Sequence, residues 1–130
     1  MDGNVIVTQY LTAMALADGA AVRSLFTEDG VIDDYRGGHR RGGAVIEEYM
    51  NGRPARTIDL VGDIVIEGCR ITAYTRMAYG DGRDLTVRFI FTMVADRIGH
   101  LCNSSVEFVP DELRRDPQPL VHPGEESRHQ

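Results

Sequence analysis

Apolar residues in the first fifty positions recur at spacings of three and four. Ile6, Tyr10, Ala13, Met14 and Ala17 fall on one face and predict a helix over 5–16, ended by Asp18-Gly19. Val22, Leu25 and Phe26 form the stripe of a second, shorter helix. Gly30 punctuates it, and Val31 to Tyr35 reads as a short strand. The glycine-rich run Gly37-Gly38-His39-Arg40-Arg41-Gly42-Gly43 has no apolar side chain to bury and reads as a loop. A third helix over 44–50 would turn Val45, Ile46, Tyr49 and Met50 inward.

Beyond Pro54 the period changes from helical to two. Ile58–Val61 and Asp63–Glu67 read as extended, with a bend at Gly62, and Arg70–Tyr79 reads as a strand. Gly80-Asp81-Gly82-Arg83 is a hairpin turn leading into a strand over Asp84–Val94. In that strand Leu85, Val87, Phe89, Phe91 and Met93 point one way, and Thr86, Arg88 and Thr92 the other. A tight turn at Ala95-Asp96 leads to a last strand over Arg97–Val109. Residues 110–130 are polar, hold four of the five prolines and read as a tail that is mobile or lies against a partner subunit. Helices followed by long antiparallel strands make an α+β order, with one domain over 1–109 and the tail over 110–130. A curved sheet wrapped around the first helices would leave one deep apolar cavity.

Composition narrows the function classes. A length of 130 residues fits one core, and 42% hydrophobic with 26% charged residues is that of an ordinary globular domain. The net charge of −6 argues against nucleic-acid binding, which needs a basic surface to neutralise phosphates. No apolar run is long enough to span a bilayer and no leader pattern precedes the first helix, so no membrane contact and a cytoplasmic location are expected. Cys69 and Cys102 fall in predicted strands and read as buried free thiols. His39, His100, His122 and His129 have no ligand-type spacing, so no metal site is expected.

The pair that carries chemistry is Tyr10, on the inner stripe of the first helix, and Asp34, in the segment after the second. A carboxylate that takes a proton from carbon and a phenol that donates to the resulting oxyanion are what an enolisation site needs. Each has a plainer reading. Tyr10 also has a reading as a core tyrosine with its hydroxyl tied to backbone, and Asp34 competes with Asp33, because neighbouring strand residues face opposite ways.

The blocks Gln9-Tyr10-Leu11-Thr12-Ala13, Leu25-Phe26-Thr27-Glu28-Asp29, Val31-Ile32-Asp33-Asp34 and Arg41-Gly42-Gly43-Ala44-Val45-Ile46 resemble the nuclear transport factor 2-like (NTF2-like) superfamily. Within it they resemble the ketosteroid isomerase and SnoaL-like polyketide cyclase group. The resemblance implies a cone-shaped α+β fold, with three N-terminal helices packed in a curved, mixed, largely antiparallel sheet around an apolar pocket. It places Tyr10 at the oxyanion-binding tyrosine and Asp34 at the general-base aspartate. The position of the group's protonated aspartate falls at Phe91, which donates no hydrogen bond; Asn103, sharing a face with Leu101 and Ser105, is the best substitute.

The expected catalytic set is therefore Asp34, Tyr10 and Asn103, with a pocket wall of Met14, Phe26, Tyr49, Val87, Phe89, Phe91 and Leu101. The expected substrate is a small, planar, apolar carbonyl compound, turned over by proton transfer without cofactor or metal. Isomerisation, cyclisation and dehydration all remain open. So does a non-catalytic module that binds a small ligand or a protein, since one fold serves many functions. The resemblance also implies a homodimer packed through the outer sheet face, with Thr86, Arg88 and Thr92 as contact candidates.

Overall fold

The computed structural model describes residues 2–78 and 82–121. Helix α1 (Gly3–Ala15) starts where the Asp2 side chain accepts a hydrogen bond from the Asn4 N–H at 2.9 Å, satisfying one of the free amides of the first turn. It ends in a Schellman motif. The Asp18 N–H reaches back to the Ala13 carbonyl and the Ala17 N–H to the Met14 carbonyl, with Ala17 at φ 57°. Ala17 therefore leaves the helix and does not extend its inner stripe, which continues through Val7, Leu11 and Ala15. Asp18 then caps α2 (Gly19–Ser24) by accepting from the Ala21 N–H. Phe26, expected at the end of that helix, opens strand β1 (Phe26–Asp33).

The run over 37–43 is not all loop. His39–Arg41 forms strand β2, antiparallel to β1 with Ile32 opposite Arg40 and Asp33 opposite His39. Glycine density does rule out a core segment there. An edge strand, however, needs only backbone pairing and buries nothing. Helix α3 (Gly43–Asn51) buries Ile46 and Met50 and keeps Tyr49 half-buried, whereas Val45 is 48% exposed and faces out.

The remaining strands are β3 (Thr57–Gly62), β4 (Val65–Glu67), β5 (Arg70–Ala78), β6 (Asp84–Val94), β7 (Arg97–Val106) and β8 (Arg114–Val121). They form one sheet in the order β2-β1-β7-β6-β5-β3-β8, with β4 paired to β5. All pairings are antiparallel except β1 with β7. The fold is thus α+β, with a large, open, mixed sheet and, among the described residues, three helices. Of the turn expected at Gly80-Asp81-Gly82-Arg83, Gly80 and Asp81 lie outside the described residues, as does Tyr79 before it.

Two expectations at the C-terminal end are corrected. The last strand ends at Val106, short of Val109, and the segment from residue 107 folds over the outer sheet face, where Val109 and Leu113 pack on Val61 and Tyr74. The tail then supplies β8, which pairs with β3 through Leu60 opposite Gln118 and Ile58 opposite Val121. Prolines and polar residues hid this strand from pattern reading. Pro117 and Pro119 lack an N–H to donate, and β8 tolerates them because it lies at the end of the sheet. The sheet therefore continues to Val121, which is itself buried.

The inner face of β6 presents Val87, Phe89 and Phe91 opposite Thr75, Ala73 and Ile71 of β5, as the alternation predicts. Helix α1 packs on this face, with Ile6, Tyr10 and Met14 in the same core. Both cysteines are free, but Cys69 is exposed in the turn between β4 and β5, and Cys102 is half-buried on the outer side of β7, so neither is a buried thiol. Among the described residues no helix is long and apolar enough to cross a membrane.

Candidate active site

Three elements deliver the candidate chemistry to one cavity. Tyr10 comes from the inner face of α1, Asp34 from the turn after β1, and Asn103 from β7 opposite Phe89. Met14, Ile32, Met50, Met77, Val87 and Phe89 form the apolar floor and walls. Tyr35, Arg36, Tyr49, Arg53 and Arg56 complete the lining. The cavity holds about 30 Å³, room for a water or two. It is not the deep apolar cavity expected, because aromatic rings fill that space.

Tyr10 is fully buried, with its ring edge-on to Phe26 and Phe89 at 6.1 Å each and to Phe91 at 5.5 Å. Its hydroxyl has no hydrogen-bond partner among the described residues. Burial pushes this phenol well above its ordinary pKa, and the nearby Tyr49 adds to the effect, while Arg56 and Arg53 oppose it. The group therefore stays protonated, and its hydrogen-bonding capacity is unspent within the protein.

Asp34 has the opposite character. Its Oδ1 accepts from the Arg36 and Gly38 backbone N–H groups, each at 2.9 Å, and its Oδ2 accepts from the Arg40 guanidinium at 2.7 Å. Burial pushes the carboxyl up, but the two backbone donors and Arg40 outweigh it and hold the pKa below the ordinary range. The glycine-rich sequence serves this turn. A Cβ at Gly38 would collide with the Arg40 guanidinium and sit 2.6 Å from Asp34 Oδ2, so glycine lets the ion pair keep this position without a shift. Arg40 also stacks on Tyr49, 3.6 Å above the ring centre, and Arg53 donates to the Tyr49 hydroxyl at 2.9 Å.

Asp33 faces the other way. His39 Nδ1 meets its Oδ1 at 2.5 Å and His100 Nε2 its Oδ2 at 2.8 Å, which holds the Asp33 carboxyl below its ordinary pKa. His39 is thus engaged on the outer side and does not line the cavity. Asn103 accepts the Tyr35 N–H on its Oδ1 at 3.2 Å, which leaves the amide nitrogen as a donor.

Of the expected wall, Met14, Tyr49, Val87 and Phe89 line the cavity, while Phe26, Phe91 and Leu101 do not. Those three are packed solid, at 2%, 0% and 0% exposure, and Phe91 occupies with its ring the place where the resemblance put an acid. The sequence reading missed Arg36, Arg53 and Arg56. Arg56 follows Pro54, where no periodicity marks a role, yet it is only 4% exposed and donates to the Met14 carbonyl. The signal available was the local density of arginine between Arg36 and Arg56 in a chain of net charge −6.

Solved structures of the same fold are numerous. A protein from Sphaerobacter thermophilus matches at TM-score 0.75 and 20% identity, over 83% of this chain and 99% of its own. An NTF2-like protein of unknown function from Mesorhizobium loti matches at TM-score 0.69 and 20% identity, over 80% of this chain and 90% of its own. A candidate polyketide cyclase from Sinorhizobium meliloti matches at TM-score 0.66 and 21% identity, over 77% of this chain and 94% of its own. Others carry a ketosteroid isomerase name. No protein-family model and no curated protein matches the chain. The fold is that of the NTF2-like proteins, and the neighbours that share it include ketosteroid isomerase-like and polyketide cyclase-like members.

Proposed function

We propose that this protein is a cofactor-free enzyme that moves a proton next to a carbonyl group, as a ketosteroid isomerase-like isomerase or a polyketide cyclase does. The observation that carries the reading is the meeting of Tyr10, Asp34 and Asn103 on one cavity. In this scheme the substrate carbonyl enters the cavity. The Asp34 carboxylate takes the α-proton. The negative charge that develops on the carbonyl oxygen is met by the Tyr10 hydroxyl and the Asn103 amide N–H. Asp34 then returns the proton to a different carbon, or the enolate attacks a second carbonyl to close a ring and the alkoxide that forms takes the proton back from Asp34. Donors aimed at the oxyanion are worth most in a site closed to water, and losing one typically costs about 10²–10³ in rate.

Asp34 is ionised at neutral pH and so able to accept the proton. The hydrogen bonds that depress its pKa also make it a weaker base than one poised near the working pH. The reading therefore predicts slow proton abstraction from weakly acidic ketones and faster abstraction from activated ones, such as β-dicarbonyl compounds. The test is proton–deuterium exchange, followed by NMR, across a panel of aryl ketones and β-dicarbonyl compounds in heavy water. Exchange above the buffer rate in wild type, lost in a folded Asp34→Asn variant, is the expected result. Full exchange in that variant would remove Asp34 from the role of base.

A second reading is a non-catalytic ligand-binding module. It is favoured by one observation: both Asp34 oxygens are already engaged by Arg40, Arg36 and Gly38. Binding of planar phenols with no exchange on any member of the panel would decide for it.

A further inference from the structure

We infer that the ligand of this cavity carries a negative charge, a carboxylate or a group of the same charge and shape, read by Arg53 at the cavity mouth. The inference rests on the reading of the Tyr10–Asp34–Asn103 cavity as a substrate site and narrows its substrate class.

The charged side chains that line the cavity are Arg36, Arg53, Arg56 and Asp34. Asp34 is matched by an arginine outside the lining, because Arg40 holds its Oδ2 at 2.7 Å. Arg53 is therefore not there to balance this aspartate. Arg53 is held in place by a neutral group: its Nη1 donates to the Tyr49 hydroxyl at 2.9 Å, and its guanidinium lies 5.3 Å from the centre of the same ring. No carboxylate among the described residues lies within ion-pair distance of it. A half-buried guanidinium fixed by a phenol keeps its charge and most of its five donors for something else.

The inner end of the cavity complements this. Arg53 and Arg56 lower the cost of negative charge at the buried Tyr10 hydroxyl, against the larger effect of burial. The whole chain carries a net charge of −6, which makes the uncommitted Arg53 guanidinium at this cavity a local reversal of the protein's overall sign. Such a reversal steers anions and turns away cations. The small volume fits as well: about 30 Å³ admits a compact polar head. Planar guanidinium groups favour planar, two-oxygen anions, hence the carboxylate.

The test compares benzoate with benzamide, which share shape but differ in charge, by calorimetric titration of the full chain. Benzoate binding at least tenfold tighter than benzamide, weakening with added salt, and levelling with benzamide in Arg53→Gln, is the expected outcome. Arg53→Gln keeps a donor to Tyr49, and its melting curve checks that the fold is kept. Equal binding of the two probes, a benzoate preference that survives Arg53→Gln, or no benzoate binding at millimolar concentration would each overturn the inference. The outcome is separable from that of the catalytic reading. Loss of charge preference with α-proton exchange retained sinks the anion site alone. Charge preference retained with no exchange on any panel member sinks the enzyme and leaves the anion site.

Discussion

Replacing Tyr10 by Phe separates a core tyrosine from a site tyrosine, because the two predict opposite signs of stability change. The ring is fully buried and edge-packed against three phenylalanines, and Phe preserves those contacts. Only the oxygen is removed. That oxygen has no partner among the described residues, so wild type bears the cost of burying it. An unsatisfied buried hydroxyl costs about 1–3 kcal/mol, and a water in the adjoining space would recover part of that. The expected result is therefore a gain of about 1 kcal/mol in Tyr10→Phe. For a chain of this length that raises the melting temperature by about 3–5 °C. The same variant should lose about tenfold in affinity for planar phenols, or roughly 1.4 kcal/mol, because the lost hydroxyl is the group that meets the ligand. Urea titration and a calorimetric binding titration on the same two proteins read both quantities. A loss of 1 kcal/mol or more in stability would mean that the hydroxyl is bonded in the folded protein. Phenol binding indifferent to the change would leave Tyr10 as core and shift the reading towards a binding module. Stability gained at the expense of binding is the pattern expected of a group held for a ligand.

Two further outcomes test the frame around the site. At Gly19 a Cβ would strike the Glu47 carbonyl oxygen and the Asn51 side chain, neither of which is free to retreat because Asn51 Oδ1 accepts the Gly19 N–H at 2.8 Å. Gly19→Ala should therefore cost about 1–3 kcal/mol in a urea titration by prising α2 from α3, and a neutral result would show that the two helices are not in close contact. The second outcome concerns acid. Asp34 has its folded pKa below the unfolded value of about 3.9, so its contribution to stability is present above that pH and fades as pH falls through the folded value. Asp34→Asn should then be destabilising at pH 7, with the difference from wild type shrinking below about pH 4. A difference of the same size at pH 7 and pH 2 would refute the role assigned to Arg40 and the two backbone donors.

Much of this protein follows from local pattern. The 3.6-residue period around Ile6, Tyr10 and Met14 marks a helix wherever it occurs, and the alternation of Val87, Phe89 and Phe91 marks a strand with one buried face. These signals are short-range, so elements such as α1 and β6 are legible in the order of residues alone. The choice between Asp33 and Asp34 is not. It rests on β2, an edge strand without apolar residues, whose His39 draws Asp33 outward while Arg40 and the Gly38 N–H draw Asp34 inward. Strand β8 is hidden for the same reason: its pairing with β3 is a matter of backbone hydrogen bonds, which polar and proline-containing segments make at a sheet edge without leaving a periodic trace.

The cavity lies furthest from the sequence. Which aromatic rings pack solid against the sheet and which border a gap depends on how side chains from α1, β6 and β7 meet in three dimensions. Phe89 and Phe91, two residues apart on one face, end on opposite sides of that distinction. The sequence by itself determined the elements, their order and the residue types available for chemistry, because backbone propensity and hydrophobic period act over a few residues. Tertiary structure alone decided that Tyr10, Asp34 and Asn103 share a space of about 30 Å³ ringed by arginines, because packing and charge act between residues far apart in the chain.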